Sequence, residues 1–63
     1  MKNNVEKFRK EMGLNQESFA KELKVSRQTI SAIENGKYNP SLKLAIDISR
    51  VVETPIEELF IFD

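Results

Sequence analysis

Apolar residues along this chain recur at intervals of three and four, and only the last few positions could be read as alternating. That period belongs to helices and not to strands. Five helices can be bracketed. Val5, Phe8 and Met12 form a stripe at i, i+3, i+7 behind Asn3 or Asn4 as a cap, and Gly13 supplies the left-handed residue that ends the first helix. Asn15 caps a second, with Phe19, Ala20 and Leu23 facing inward. After Lys24-Val25-Ser26 a third begins at Arg27, carries Ile30 and Ile33, and closes at Asn35-Gly36. Pro40 biases Asn39 away from the helical region, so Lys37 to Pro40 is a loop. Ser41 caps the fourth helix, whose expected core stripe is Leu42, Ala45, Ile48, Ser49 and Val52. Thr54-Pro55-Ile56-Glu57 reads as a capping box with Pro at the first helical position, and a short fifth helix follows with Ile56, Leu59 and Phe60. The expected class is all-α.

Sixty-three residues make one domain at most, so residues 1–63 are read as a single unit. A chain of this size buries only roughly 60% of the surface that it exposes when unfolded, and usually gains stability from a disulfide, a metal or a partner. With neither Cys nor His, a disulfide, a thiolate metal site and the commonest acid-base residue are all excluded, and association remains. No cofactor is expected. Glu57 and Glu58 are adjacent on a helix and do not face one another, so they make no acid-base pair and no enzyme is expected. There is no long apolar run and no signal-peptide pattern at the N-terminus, so the expected location is cytoplasmic, away from membranes.

The formal net charge of zero conceals an asymmetry. Residues 1–43 hold nine basic against five acidic side chains, a net of +4, and residues 44–63 hold one against five, a net of −4. A basic front and an acidic back orient a molecule toward a polyanion even though the total field is weak.

Residues 16–35 carry two short helices joined by three residues, the spacing of a helix-turn-helix. Small Ala20 lies where the helices approach, Val25 plugs the corner, and Phe19, Leu23, Ile30 and Ile33 fill the underside. The solvent side of the third helix is left with Arg27, Gln28, Thr29, Ser31 and Ala32. Ser26 as cap leaves first-turn N–H groups directed outward, which favours a phosphate. Arg can grip guanine O6 and N7 and Gln can pair with adenine N6 and N7, so Arg27 and Gln28 at an exposed helix start suit a major groove. Thr29 could meet a thymine methyl or a phosphate, and Ala32 a thymine methyl. Tyr38 is open to two readings, packing over Pro40 or donating to a phosphate, and Glu34 is expected to offer its carboxylate to a nearby basic residue or N–H.

These residues resemble the Cro and lambda-repressor type of helix-turn-helix protein, the xenobiotic-response-element family. The likeness is carried by Gln16-Glu17-Ser18-Phe19-Ala20, Val25-Ser26-Arg27-Gln28-Thr29-Ile30, Ile33-Glu34-Asn35-Gly36-Lys37, Asn39-Pro40-Ser41-Leu42, and Thr54-Pro55 through Leu59-Phe60. It implies a five-helix lambda-repressor-like fold with a central helix-turn-helix. It also implies that Arg27, Gln28 and Thr29, with Ser31 and Ala32 behind them, face base edges of double-stranded DNA. Gln16 and Asn35 would hold phosphates, and Lys37, Tyr38 and Asn39 would follow the backbone. Many relatives carry Gly where this chain has Lys24, so Lys24 is expected to be left-handed.

The resemblance also implies a transcriptional regulator, expected to be a repressor acting as a dimer on a palindromic operator. Leu44 and Val51 lie off the core stripe, and Phe60, Ile61 and Phe62 end the chain with much apolar surface, so these five are the expected dimer contacts, with residues 55–63 as the dimerisation segment. The competing expectation is that Phe60 or Phe62 folds back into its own core. The resemblance to short dimeric repressors of this family further implies that Phe60 to Asp63 pairs as a short strand with Lys2 to Asn4. An antitoxin or helical interaction module is the alternative class, and release from DNA could fall to a protein partner.

Overall fold

The computed structural model describes residues 2–61. Its helices are α1 (Val5–Glu11), α2 (Gln16–Leu23), α3 (Arg27–Glu34), α4 (Leu42–Val51) and α5 (Ile56–Leu59). Three begin as expected: the side chains of Asn15, Ser26 and Ser41 accept from the N–H of Ser18, Thr29 and Leu44, each satisfying one of the four donors that a helix start leaves open. At α1 the N-cap is Asn4, which makes no side-chain cap bond; the residue before it, Asn3, accepts at Oδ1 from the Val5 N–H at 3.1 Å. Gly13 adopts φ +76 just past α1, a conformation that leaves it free of steric penalty.

Phe19, Ile30, Ile33, Ile48, Leu59 and Val5 are fully buried and come from all five helices, so one core holds the bundle. Ala20, Leu23, Ala45, Val52 and Phe60 complete it, with Phe8, Leu14, Val25, Leu44, Val51 and Ile56 packed around its edge. Among the described residues no helix is long and apolar enough to cross a membrane.

Four expectations change. Leu42 is 75% exposed. A helical side chain leans toward the N-terminus of its helix, so Leu42, first in α4, lies over the open loop before it and not over the core. Met12 caps the end of α1 and is 42% exposed, while Arg9, one turn earlier on the same face, is buried. Thr54 does not cap α5, which has no side-chain cap. Its hydroxyl donates instead to the Val52 carbonyl at 3.0 Å, because Glu53 turns the chain at φ 52 and leaves Thr54 buried against the end of α4. Phe60 is not a surface residue: it is 2% exposed, within its own core.

The two ends of the chain meet, as a single antiparallel bridge between Asn3 and Phe60. The Asn4 N–H donates to the Leu59 carbonyl at 2.7 Å and the Ile61 N–H to the Lys2 carbonyl at 3.0 Å. That pairing turns the Phe60 ring inward. Phe62 and Asp63, the rest of the expected strand, lie outside the described residues.

Candidate nucleic-acid interface

The corner between α2 and α3 is built from backbone hydrogen bonds and one left-handed residue. Lys24 sits at φ 60, ψ 40, and the Val25 N–H donates back to the Ala20 carbonyl at 3.0 Å. Half-buried Val25 packs against the core and closes the angle. Ser26 then starts α3 twice over, accepting from the Thr29 N–H at 3.1 Å and sharing a hydroxyl hydrogen bond with Thr29 at 2.9 Å.

Ile30 and Ile33 fix α3 to the body and leave its other face outward. Arg27, Gln28, Ser31 and Ala32 line one shallow depression together with Asn35 and Lys37. Four expected base readers and two expected phosphate contacts thus share a surface. Among the described residues, no hydrogen bond or ion pair engages the side chain of Arg27, Gln28 or Lys37, so their donors are free for a ligand. Thr29 departs from this group. Its hydroxyl is tied to Ser26, and it lines a second groove with Tyr38, Lys24, Val25, Leu44 and Val51. Tyr38 is half exposed and Asn39 is exposed on the loop that follows α3.

Behind the surface lies a polar network. Arg9 Nε donates to Glu34 Oε2 at 2.7 Å and its Nη2 to Oε1 at 3.3 Å, with the two side chains only 6% and 4% exposed. Arg9 Nη1 donates to the Leu14 carbonyl at 2.8 Å. Gln16 Nε2 donates to Glu34 Oε1 at 3.0 Å, so the amide at the start of α2 is joined to the end of α3. Asn3 Nδ2 reaches the Ile33 carbonyl at 2.8 Å. Every buried side-chain nitrogen and oxygen among the described residues has a partner, which a buried ion pair requires to be tolerated.

Glu34 finds the basic partner expected of it, and Arg9, to which no role was assigned from the sequence, is that partner. A signal was present. Val5, Phe8, Arg9 and Met12 fall at i, i+3, i+4, i+7, and Ile30, Ile33 and Glu34 at i, i+3, i+4. Two opposite charges therefore each stand on an apolar stripe, where they are buried and must find one another.

Of the expected dimer contacts, Leu44 and Val51 are half-buried at the edge of the core, and Ile61 is 43% exposed. Phe60 is withdrawn by its burial and Phe62 lies outside the described residues.

The helix-turn-helix family profile matches residues 5–59 of the chain. An HTH-type transcriptional regulator of Archaeoglobus fulgidus is 51% identical over 63 residues, covering all of this chain and 90% of the relative. A regulator of the same description from Methanocaldococcus jannaschii is 52% identical over 63 residues, covering 96% of the relative. Control protein C.MunI of a Mycoplasma species is 44% identical over 59 residues, 92% of this chain and 80% of its own length. Among solved structures, a hypothetical transcription factor, NHTF, from Neisseria shares the fold with a TM-score of 0.79 at 24% identity, covering 87% of this chain. The chain spans 62% of that protein's length.

Proposed function

The chain belongs to the Cro-type helix-turn-helix family of DNA-binding transcriptional regulators, and within it we propose a repressor that binds a palindromic operator as a dimer, residues 1–63 acting as one unit. The observation that carries the proposal is the outer face of α3. Arg27 and Gln28 stand exposed at a capped helix start, with Ser31 and Ala32 behind them and no partner of their own among the described residues. In a major groove Arg27 and Gln28 read base edges, with Thr29, Ser31 and Ala32 in closer or smaller contacts. Gln16, Asn35, Lys37, Tyr38 and Asn39, with the first turn capped by Ser26, take phosphates and fix register. Half-site centres lie about 34 Å apart in helix-turn-helix complexes, whereas this chain extends 30 × 21 × 19 Å and carries one α3. Two grooves therefore need two copies.

Exposed Leu42, half-buried Leu44 and Val51, and Ile61 supply the apolar surface for that pairing, since a two-fold interface uses one patch twice. Bound across a promoter, such a dimer represses by occupancy alone. Selection of sites from random duplexes, followed by titration at several salt concentrations, tests the reading. The expected outcome is a palindromic site bound at least about a thousandfold more tightly than random duplex. Equal affinity for all duplexes rejects sequence recognition, and a one-chain mass on the selected site in sedimentation rejects the dimer. Unchanged transcription from a promoter holding that site rejects repression.

A further inference from the structure

We propose that Glu34 is a positioning residue that holds the Gln16 carboxamide ready for a DNA phosphate. The inference rests on the DNA-binding reading above and gives a buried acid a part in it. A carboxamide has two N–H donors on one end and an acceptor oxygen on the other, and a free Gln side chain loses considerable rotamer freedom when it is fixed. Glu34 offers only acceptors. It takes one N–H of Gln16 Nε2 at 3.0 Å, which anchors the nitrogen end and leaves the second N–H in a set direction for a phosphate oxygen. Gln16 is the first residue of α2, so it stands at the helix start, where backbone N–H groups are open to a phosphate.

A carboxylate this near a phosphate would ordinarily repel it. Here the Arg9 guanidinium takes both Glu34 oxygens, and the pair presents no net charge. Glu34 is held in turn, because Arg9 also grips the Leu14 carbonyl at 2.8 Å. The amide is therefore ordered before DNA arrives, and binding no longer has to order it.

The test is anisotropy titration of the selected duplex with four chains: unsubstituted, Gln16→Ala, the charge-neutral pair Arg9→Met with Glu34→Met, and all three substitutions together. Gln16→Ala is expected to weaken binding about tenfold, the worth of one hydrogen bond to a charged group, and the pair about fivefold. In the pair's background Gln16→Ala is expected to add less than about twofold, because an unheld amide contributes little. A full tenfold loss in that background overturns the inference. Gln16→Ala binding as tightly as the unsubstituted chain overturns it while leaving the DNA reading intact, whereas an unsubstituted chain without duplex preference overturns both. Side-chain amide relaxation by NMR needs no substitution: the Gln16 amide is expected to be rigid and the unpartnered Gln28 amide mobile, and equal mobility overturns the proposal.

Discussion

The start of α3 stands in the open. Ser26 caps it with exposed hydrogen bonds, and Arg27 and Gln28 lie in solvent with no partner among the described residues. At the other end Glu34 is sealed between α1 and α2, gripped by Arg9 and Gln16, while Asn3 takes the Ile33 carbonyl. The same eight residues are therefore anchored at one end and offered at the other. The base-reading role proposed for α3 needs both, since side chains that search for base edges must project from a backbone that does not move. Substitutions at the two ends should separate accordingly, the closed end changing chiefly stability, with affinity touched only through the Gln16 amide, and the open end changing affinity alone.

The largest effect is expected at the closed end. Arg9→Ala leaves a carboxylate 4% exposed with only the Gln16 amide, and an unpaired buried charge costs about 3 to 5 kcal/mol. In a domain of this size that approaches the whole stability, so urea unfolding at 25 °C should show most of the native population lost. A change below about 1 kcal/mol would mean that water reaches Glu34 and that this end is not sealed.

At the open end, Arg27→Ala is expected to weaken operator binding by about 1 to 3 kcal/mol and to relax preference at one base pair, with the unfolding midpoint unmoved. Lys37→Ala, in the exposed loop that follows α3, should instead lower affinity evenly across sequences and reduce the salt slope by about one phosphate. Equal losses on operator and random duplex for both variants would erase the distinction between reading and holding. Ser26→Ala lies between the classes. Loss of its cap should cost about 1 kcal/mol of stability and loosen the first turn of α3, so thermal melting and operator titration should both register it.

The bundle was legible in the sequence because its signals are local. Three polar caps, the left-handed Gly13 and the apolar stripes of α2 and α3 each depend on residues a turn apart. The open face of α3 was legible for the same reason, since the apolar residues of that helix are all spent on one side. The burial of Arg9 and of Glu34 was signalled by their places on apolar stripes, but their pairing was not, because the partners are 25 residues apart and only the packing of α1 on α3 joins them. Phe60 was misjudged on similar grounds: its burial depends on a bridge to Asn3 at the opposite end of the chain. Leu42 matches the stripe by spacing, but the first position of a helix covers the preceding loop. Glu53 carries no composition signal for its positive φ.

Glu53 and Lys24 give the smallest test and the most discriminating one. Each is a non-glycine residue in the left-handed region, at φ 52 after α4 and φ 60 after α2. That conformation costs an L-residue roughly 1 to 2 kcal/mol, and glycine avoids the strain but loses about 0.5 to 1 kcal/mol through the greater freedom of its unfolded chain. The balance predicts a gain of a few tenths to about 1 kcal/mol for Lys24→Gly and for Glu53→Gly alike, read from the urea midpoint. On DNA the two should part. Lys24 lies in the corner that aims α3, and its positive charge belongs to the basic half of the chain, so its replacement removes a cation near the duplex and lowers affinity slightly at low salt. Glu53 follows α4 in the acidic half, and its replacement should leave the operator titration unchanged. If Glu53→Gly shifts that titration as much as Lys24→Gly does, the division of this chain into a DNA-facing front and an acidic back is wrong.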